Sequence, residues 1–113
     1  MITFIYNPTG GRAIPDGQVE NEWNKIMRLK DSDLPLMTEY STENIFTYAR
    51  FQVVAGHIFD DEIVFVFEGK EIRVNRFGAI TEWPEGFCDS VIRMCEDIMT
   101  LAMKKRKQEK EHE

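Results

Sequence analysis

Residues 62–75 read Glu62-Ile63-Val64-Phe65-Val66-Phe67-Glu68-Gly69-Lys70-Glu71-Ile72-Arg73-Val74-Asn75. Two runs of β-branched and aromatic residues, Glu62–Phe67 and Glu71–Asn75, flank a short Glu68-Gly69-Lys70 connection. A glycine in so tight a link signals a β-hairpin, whose strands run antiparallel. Upstream, Ile2-Thr3-Phe4-Ile5-Tyr6 is a first strand, broken by Asn7-Pro8-Thr9-Gly10-Gly11. A helix is predicted over residues 18–30, where Val19, Trp23, Ile26 and Met27 recur at three- and four-residue spacing. Residues 34–39 read as a second strand, with Pro35 near its entry. Ser41 is a candidate cap for a second helix, with Ile45, Tyr48, Ala49, Gln52, Val53 and Gly56 on its inner face. Downstream of the hairpin, Thr81–Phe87 is a connector rich in large anchors. A last helix is expected from about Phe87, with Val91, Met94, Cys95, Ile98, Leu101 and Ala102 on one face.

Strand, helix, strand, helix, hairpin, helix is an α/β order. The expected architecture is one α/β domain over residues 1–103. It has a central mixed sheet of four or five strands, an antiparallel hairpin and helices packed on the sheet. The first three strands are expected to lie parallel through right-handed crossovers. Residues 104–113 are expected to be a charged, frayed tail.

The 113 residues are 42% hydrophobic and include eight Phe, three Tyr and two Trp, enough to build one packed core. No run of about 18 apolar residues occurs, and no basic-then-apolar leader opens the chain. The expectation is a cytoplasmic protein that does not enter a membrane. Twenty acidic against fourteen basic side chains give a net charge of −6, which disfavours a bulk hold on nucleic acid.

Chemistry-bearing motifs are few. The strand-to-glycine passage Tyr6–Arg12 offers Gly10, Gly11 and Arg12 as a weak candidate for holding a phosphate or small ligand. No Lys-Ser or Lys-Thr follows to complete a nucleoside-triphosphatase loop. The same passage looks like the opening strand and loop of the diacylglycerol and lipid kinases, whose second G-G-D-G-T motif is missing here. Asp60, Asp61 and Glu62 adjoin, but successive strand residues point to opposite faces, so a solvated turn is the better account than a cation site. Cys88 and Cys95, seven apart in the expected last helix, are about 10 Å apart along its axis and read as buried thiols. His57 and His112 match no recognised metal spacing. Lys104, Lys105, Arg106 and Lys107 are offset by Glu109, Glu111 and Glu113. No catalytic group, metal or cofactor is assigned.

Several segments, taken in order, resemble a known family. Asn75-Arg76-Phe77-Gly78-Ala79-Ile80-Thr81-Glu82-Trp83-Pro84-Glu85-Gly86-Phe87-Cys88-Asp89 is similar to the C-terminal signature of a group of bacterial AAA-type ATPases. These are ABC-like relatives of the overcoming-lysogenization-defect nucleases, many found in anti-phage systems. That signature runs approximately D-x-x-G-x-I/L-x-x-W-P-x-G-F-F-D, with Cys88 here for the second Phe. Upstream, Met37-Thr38-Glu39-Tyr40-Ser41 and Ala55-Gly56-His57-Ile58 resemble the switch strand and the turn after it. Ile5–Thr9 and Pro15–Gln18 resemble the Walker B strand and its sequel. The resemblance implies a remnant of the second half of an ATPase core with its chemistry erased. Tyr6 stands in place of the metal-linked carboxylate, Thr9 in place of the water-activating Glu and Tyr40 in place of the switch His. A phenol and a hydroxyl do not supply what a carboxylate and an imidazole do in phosphoryl transfer.

The function expected is a non-catalytic accessory or regulatory binding protein in a phage–bacterium conflict setting. Its partner would be a second copy or a larger ATPase or nuclease. The alternatives are a small nucleotide- or ligand-binding domain using the Gly10-Gly11 loop, or a structural protein of a phage or mobile element. Trp83, Pro84 and Phe87 are expected to anchor the connector between hairpin and last helix. Ile92, Met99 and Met103 widen the apolar arc of that helix beyond one contact and are the expected interface, which predicts an oligomer.

Overall fold

The computed structural model describes residues 1–30, 35–88 and 101–109. Strands β1 (Ile2–Tyr6), β2 (Leu36–Tyr40), β3 (Ile63–Phe67) and β4 (Lys70–Ile72) form one sheet in the order β2-β1-β3-β4. β1 is parallel to β2 and to β3, and β3 and β4 are antiparallel. The fold is α/β with a mixed sheet, as the segment order predicts. The β3–β4 link places Glu68 and Gly69 at φ of 52° and 77°, positive at both positions as a primed two-residue hairpin turn requires.

The chain divides into two compact units, Met1–Trp83 and Pro84–Glu113. The first holds the sheet with helices α1 (Val19–Lys30) and α2 (Asn44–Val54). In the second, the Phe87 N–H donates to the Pro84 carbonyl at 3.2 Å, and Cys88 has a φ of 45°. Phe87 and Cys88 therefore lie in a turn rather than opening the last helix. Residues 101–109 are helical and exposed, so helix persists past Lys104, where the sequence predicts fraying. Lys, Arg, Gln and Glu are strong helix formers, which accounts for the extension. Ile92, Cys95, Met99 and His112 lie outside the described residues.

β1 alternates buried and half-buried positions, and Ile2, Phe4 and Tyr6 share one face. Trp23 of α1 stacks on Phe4 with ring centres 6.1 Å apart. Phe46 of α2 meets Phe4, Tyr6, Tyr40 and Phe65 edge-on at 5.2–6.4 Å. Both helices thus cover the same face. β1 lies between β2 and β3, so the two crossovers run in opposite directions across the sheet. With both helices on one face, they necessarily differ in hand. This corrects the expectation of two right-handed crossovers. The arrangement sets α1 and α2 side by side, with Trp23 against Tyr48 at 5.8 Å.

Three local expectations are revised. α2 follows Glu43, whose carbonyl accepts from the Phe46 and Thr47 amides, while the Ser41 amide donates to the Arg12 carbonyl. Ser41 is thus held by the neighbouring Arg12 segment, and the cap position of the helix is Glu43. Asn44 instead ties α2 to the long loop, its Nδ2 donating to the Ile14 carbonyl at 2.7 Å and to Asp16 Oδ1 at 2.8 Å. The inner face of α2 gains Phe46, while Gly56 is exposed. Finally, β4 ends at Ile72, and beyond it Val74 makes one isolated bridge to Ile80. Asn75 then turns the backbone, its Oδ1 accepting from the Phe77 and Ala79 amides.

Candidate functional site: the carboxyl ends of the parallel strands

In α/β sheets, ligands bind beyond the carboxyl ends of the strands, where neighbouring connections part. Here β1 is that point, since its two neighbours are reached in opposite directions. Tyr6 and Tyr40 face each other in register at the end of β1 and β2. The strand register thus brings together two residues that the ATPase resemblance singles out. Thr9 lies just beyond, in the loop.

That loop is wound around Asn7. Asn7 Oδ1 accepts from the Thr9 amide at 3.3 Å, the Thr9 hydroxyl at 3.2 Å and the Gly10 amide at 3.1 Å. The Gly11 amide donates to the Asn7 carbonyl at 2.9 Å. The amides that would cradle a phosphate are therefore satisfied within the loop. Gly11 has a packing reason to be glycine. A Cβ there would stand 2.3 Å from the Tyr40 carbonyl carbon and 2.6 Å from the Ser41 nitrogen.

Arg12 is committed as well. Its amide donates to the Glu39 carbonyl at 3.2 Å, which joins the segment to the outer edge of β2. Its guanidinium is ion-paired with Glu22 of α1 and lies over the Tyr40 ring, 5.5 Å from the centre. Tyr40 is completely buried, and its hydroxyl donates to the same Glu22 carboxylate at 2.9 Å. Burial pushes the Tyr40 phenol above its ordinary value of 10.0, and the adjacent Glu22 charge adds to that rise. Glu22 is three residues after Val19 and four before Ile26, at the edge of the apolar stripe of α1, and its side chain is only 11% exposed; the fold supplies Tyr40 as its partner there.

Beside this network is a depression of about 440 Å³, lined in part by Ile5, Asn7, Pro8, Thr9, Glu39 and Glu68. Among the described residues its charged lining groups are two carboxylates, and no Lys or Arg lines it. Such a lining repels phosphate rather than receiving it.

The remaining sequence candidates are spread apart. Asp60–Glu62 form a short 3₁₀ turn, where Glu62 Oε2 accepts from the Phe59 amide at 2.9 Å and Oε1 pairs with Lys30 at 2.9 Å. The Lys30 partner, with the Phe59 amide, holds the Glu62 carboxyl below its usual range. Among the described residues no three His, Cys, Asp or Glu side chains gather. His57 Nδ1 bonds Gln52 Oε1 at 2.7 Å at the end of α2. Trp83 is half-buried, with the Arg50 guanidinium 5.0 Å from its ring centre. Phe87 is fully buried and Pro84 half-buried. Met103 is 67% exposed on the 101–109 helix, which also carries Lys104 to Lys107. No helix among the described residues is long and apolar enough to cross a membrane.

Comparison of this chain with protein families, with curated proteins and with solved structures finds no match.

Proposed function

We propose that this chain is a non-catalytic accessory or regulatory protein that acts by binding another protein. The carrying observation is the state of the carboxyl end of the sheet. Its phenol and arginine are bonded to Glu22 and its loop amides to Asn7, and the adjoining depression presents Glu39 and Glu68. Groups already spent on internal bonds are poorly placed to activate water or to carry a nucleotide. The ATPase resemblance enters the proposal through Tyr6, Thr9 and Tyr40, which lack the required carboxylate and imidazole. In this reading the chain keeps part of an ATPase-like scaffold and serves a larger ATPase or nuclease in phage–bacterium conflict.

The test is turnover of ATP and GTP with Mg²⁺ by the purified chain, beside the Tyr6→Phe and Thr9→Ala variants. The expected result is no release of phosphate above background in any of the three. Metal-dependent turnover by the parent that the variants lose would overturn the reading.

A further inference from the structure

We infer that the outer side of α2 and residues 75–83 form a docking surface for an acidic, apolar segment of a partner protein. The inference rests on the binding-protein reading and names where and what the chain binds. Phe51 and Val54, one helical turn apart on α2, are 62% and 60% exposed, and Phe77 is 68% exposed. Single exposed apolar residues are ordinary. These three are joined by tertiary structure. Gly78 is seated so tightly on α2 that a Cβ would stand 2.5 Å from Val54 Cγ2 and 2.8 Å from the Arg50 carbonyl oxygen. Arg50 Nε also donates to the Gly78 carbonyl at 2.7 Å.

The loop that displays Phe77 is fixed in advance. Asn75 Oδ1 accepts from the Phe77 amide at 2.9 Å and from the Ala79 amide at 3.1 Å. The Gly78 amide closes the turn on the Asn75 carbonyl at 2.9 Å. A partner therefore spends little on ordering it. Arg76 lies over the Phe77 ring at 4.8 Å and Arg50 over Trp83 at 5.0 Å. Phe, Trp and Arg on a rigid seat are the composition that carries binding energy at protein interfaces.

Charge selects the occupant. The chain carries a net charge of −6, yet among the described residues of this surface the exposed basic side chain is Arg76, set beside Phe77. An acidic segment is repelled by most of the protein and received here, which orients it. Nucleic acid, whose hold grows with neutralised phosphates, is disfavoured by the overall charge.

The test titrates a synthetic helical peptide, Leu and Trp on one face and Glu elsewhere, into the full chain and follows amide chemical shifts. Saturable binding centred on Phe51, Val54 and Phe77 is expected. Affinity should fall at least about tenfold in Arg76→Glu and in Phe77→Ser, at unchanged melting temperature. The same peptide with Lys for Glu should bind at least about tenfold more weakly. Equal affinity for the two peptides, unaffected variants, or no saturation would overturn the inference. So would tighter binding of oligothymidylate at these residues, or a dimer that Phe77→Ser dissociates, which would assign the surface to nucleic acid or to a second copy. Nucleotide turnover is measured separately, so failure of the non-catalytic reading is distinguishable from failure of this one.

Discussion

Two loops of the first unit are built by the same device and used in opposite ways. In residues 7–12 and again in 75–80 an Asn side-chain oxygen gathers following amides, and a glycine then presses against another segment's backbone. Each loop also lies beside an arginine stacked on an aromatic ring. The first loop closes inward. Its arginine joins Glu22 and the wholly buried Tyr40, and its exposed tip is Pro8-Thr9-Gly10. The second points outward and holds Phe77 in solvent. An Asx turn fixes a backbone path and is indifferent to what the next side chain does. Chemistry is thus decided by the residue displayed, and the strand end that resembles a phosphate loop is the one with its polar groups spent.

The comparison is broken most severely at the two glycines. Gly11→Ala puts a methyl group into the backbone of residues 40 and 41 and should cost about 3–5 kcal/mol, read as a loss of urea midpoint. Gly78→Ala adds the strain of a φ of 74° to its contact with Arg50 and Val54. The Arg50 carbonyl is helix backbone and the β-branched Val54 has little rotamer freedom, but the approach is less close than at Gly11, so the loss should be about 2–4 kcal/mol. A Gly11→Ala chain as stable as the parent would show that the first loop is free to lift from β2.

Replacing the organising residue is milder. Asn7→Ala and Asn75→Ala should each lose about 1–2 kcal/mol. Asn7→Ala should cost more, since Asn7 also bonds Glu39 across to β2 at 3.3 Å. Only Asn75→Ala should weaken acidic-peptide binding, which separates the two loops by function.

Tyr40→Phe sharpens the contrast at similar cost, about 1–2 kcal/mol at neutral pH, because Glu22 keeps Arg12. The sign of its pH dependence follows from the raised phenol. The unfolded chain ionises Tyr40 near 10.0, and the folded chain does so only at higher pH. Stability present below 10.0 is therefore lost as pH rises through the folded value. Denaturation curves above pH 10.0 should show the parent losing more stability than Tyr40→Phe; equal slopes would place the phenol in contact with solvent.

The strands were legible because their signals are local. Ile2–Tyr6 and Ile63–Phe67 are dense β-branched and aromatic runs, and Glu68-Gly69 is a turn by its own chemistry. What was not legible depends on residues far apart in the chain. Gly11 reads as flexible until the end of β2 is laid against it. Glu22 borders the apolar stripe of α1, and its partner is invisible until Tyr40 comes 2.9 Å away. Phe46 was missed because a single helical stripe through Ile45, Ala49 and Val53 leaves it outside, whereas β1, β2 and β3 together present a wide aromatic surface. The second hairpin strand stops short of Val74–Asn75, because Val74 bridges Ile80 and Asn75 turns the backbone, contacts that lie outside the hairpin.

Placing β1, which precedes both of its partners in the chain, at the centre of the sheet has a consequence for how the protein is made. Ile2 pairs with Leu36 on one side and with Ile63 on the other. At synthesis rates of roughly 5–20 residues per second, β1 waits about 3–12 s for β3 to follow it out of the ribosome. Until then one edge of an apolar strand stands open to any other extended chain. Slow assembly of distant parallel partners makes the nascent protein, rather than the finished one, its aggregation-prone form.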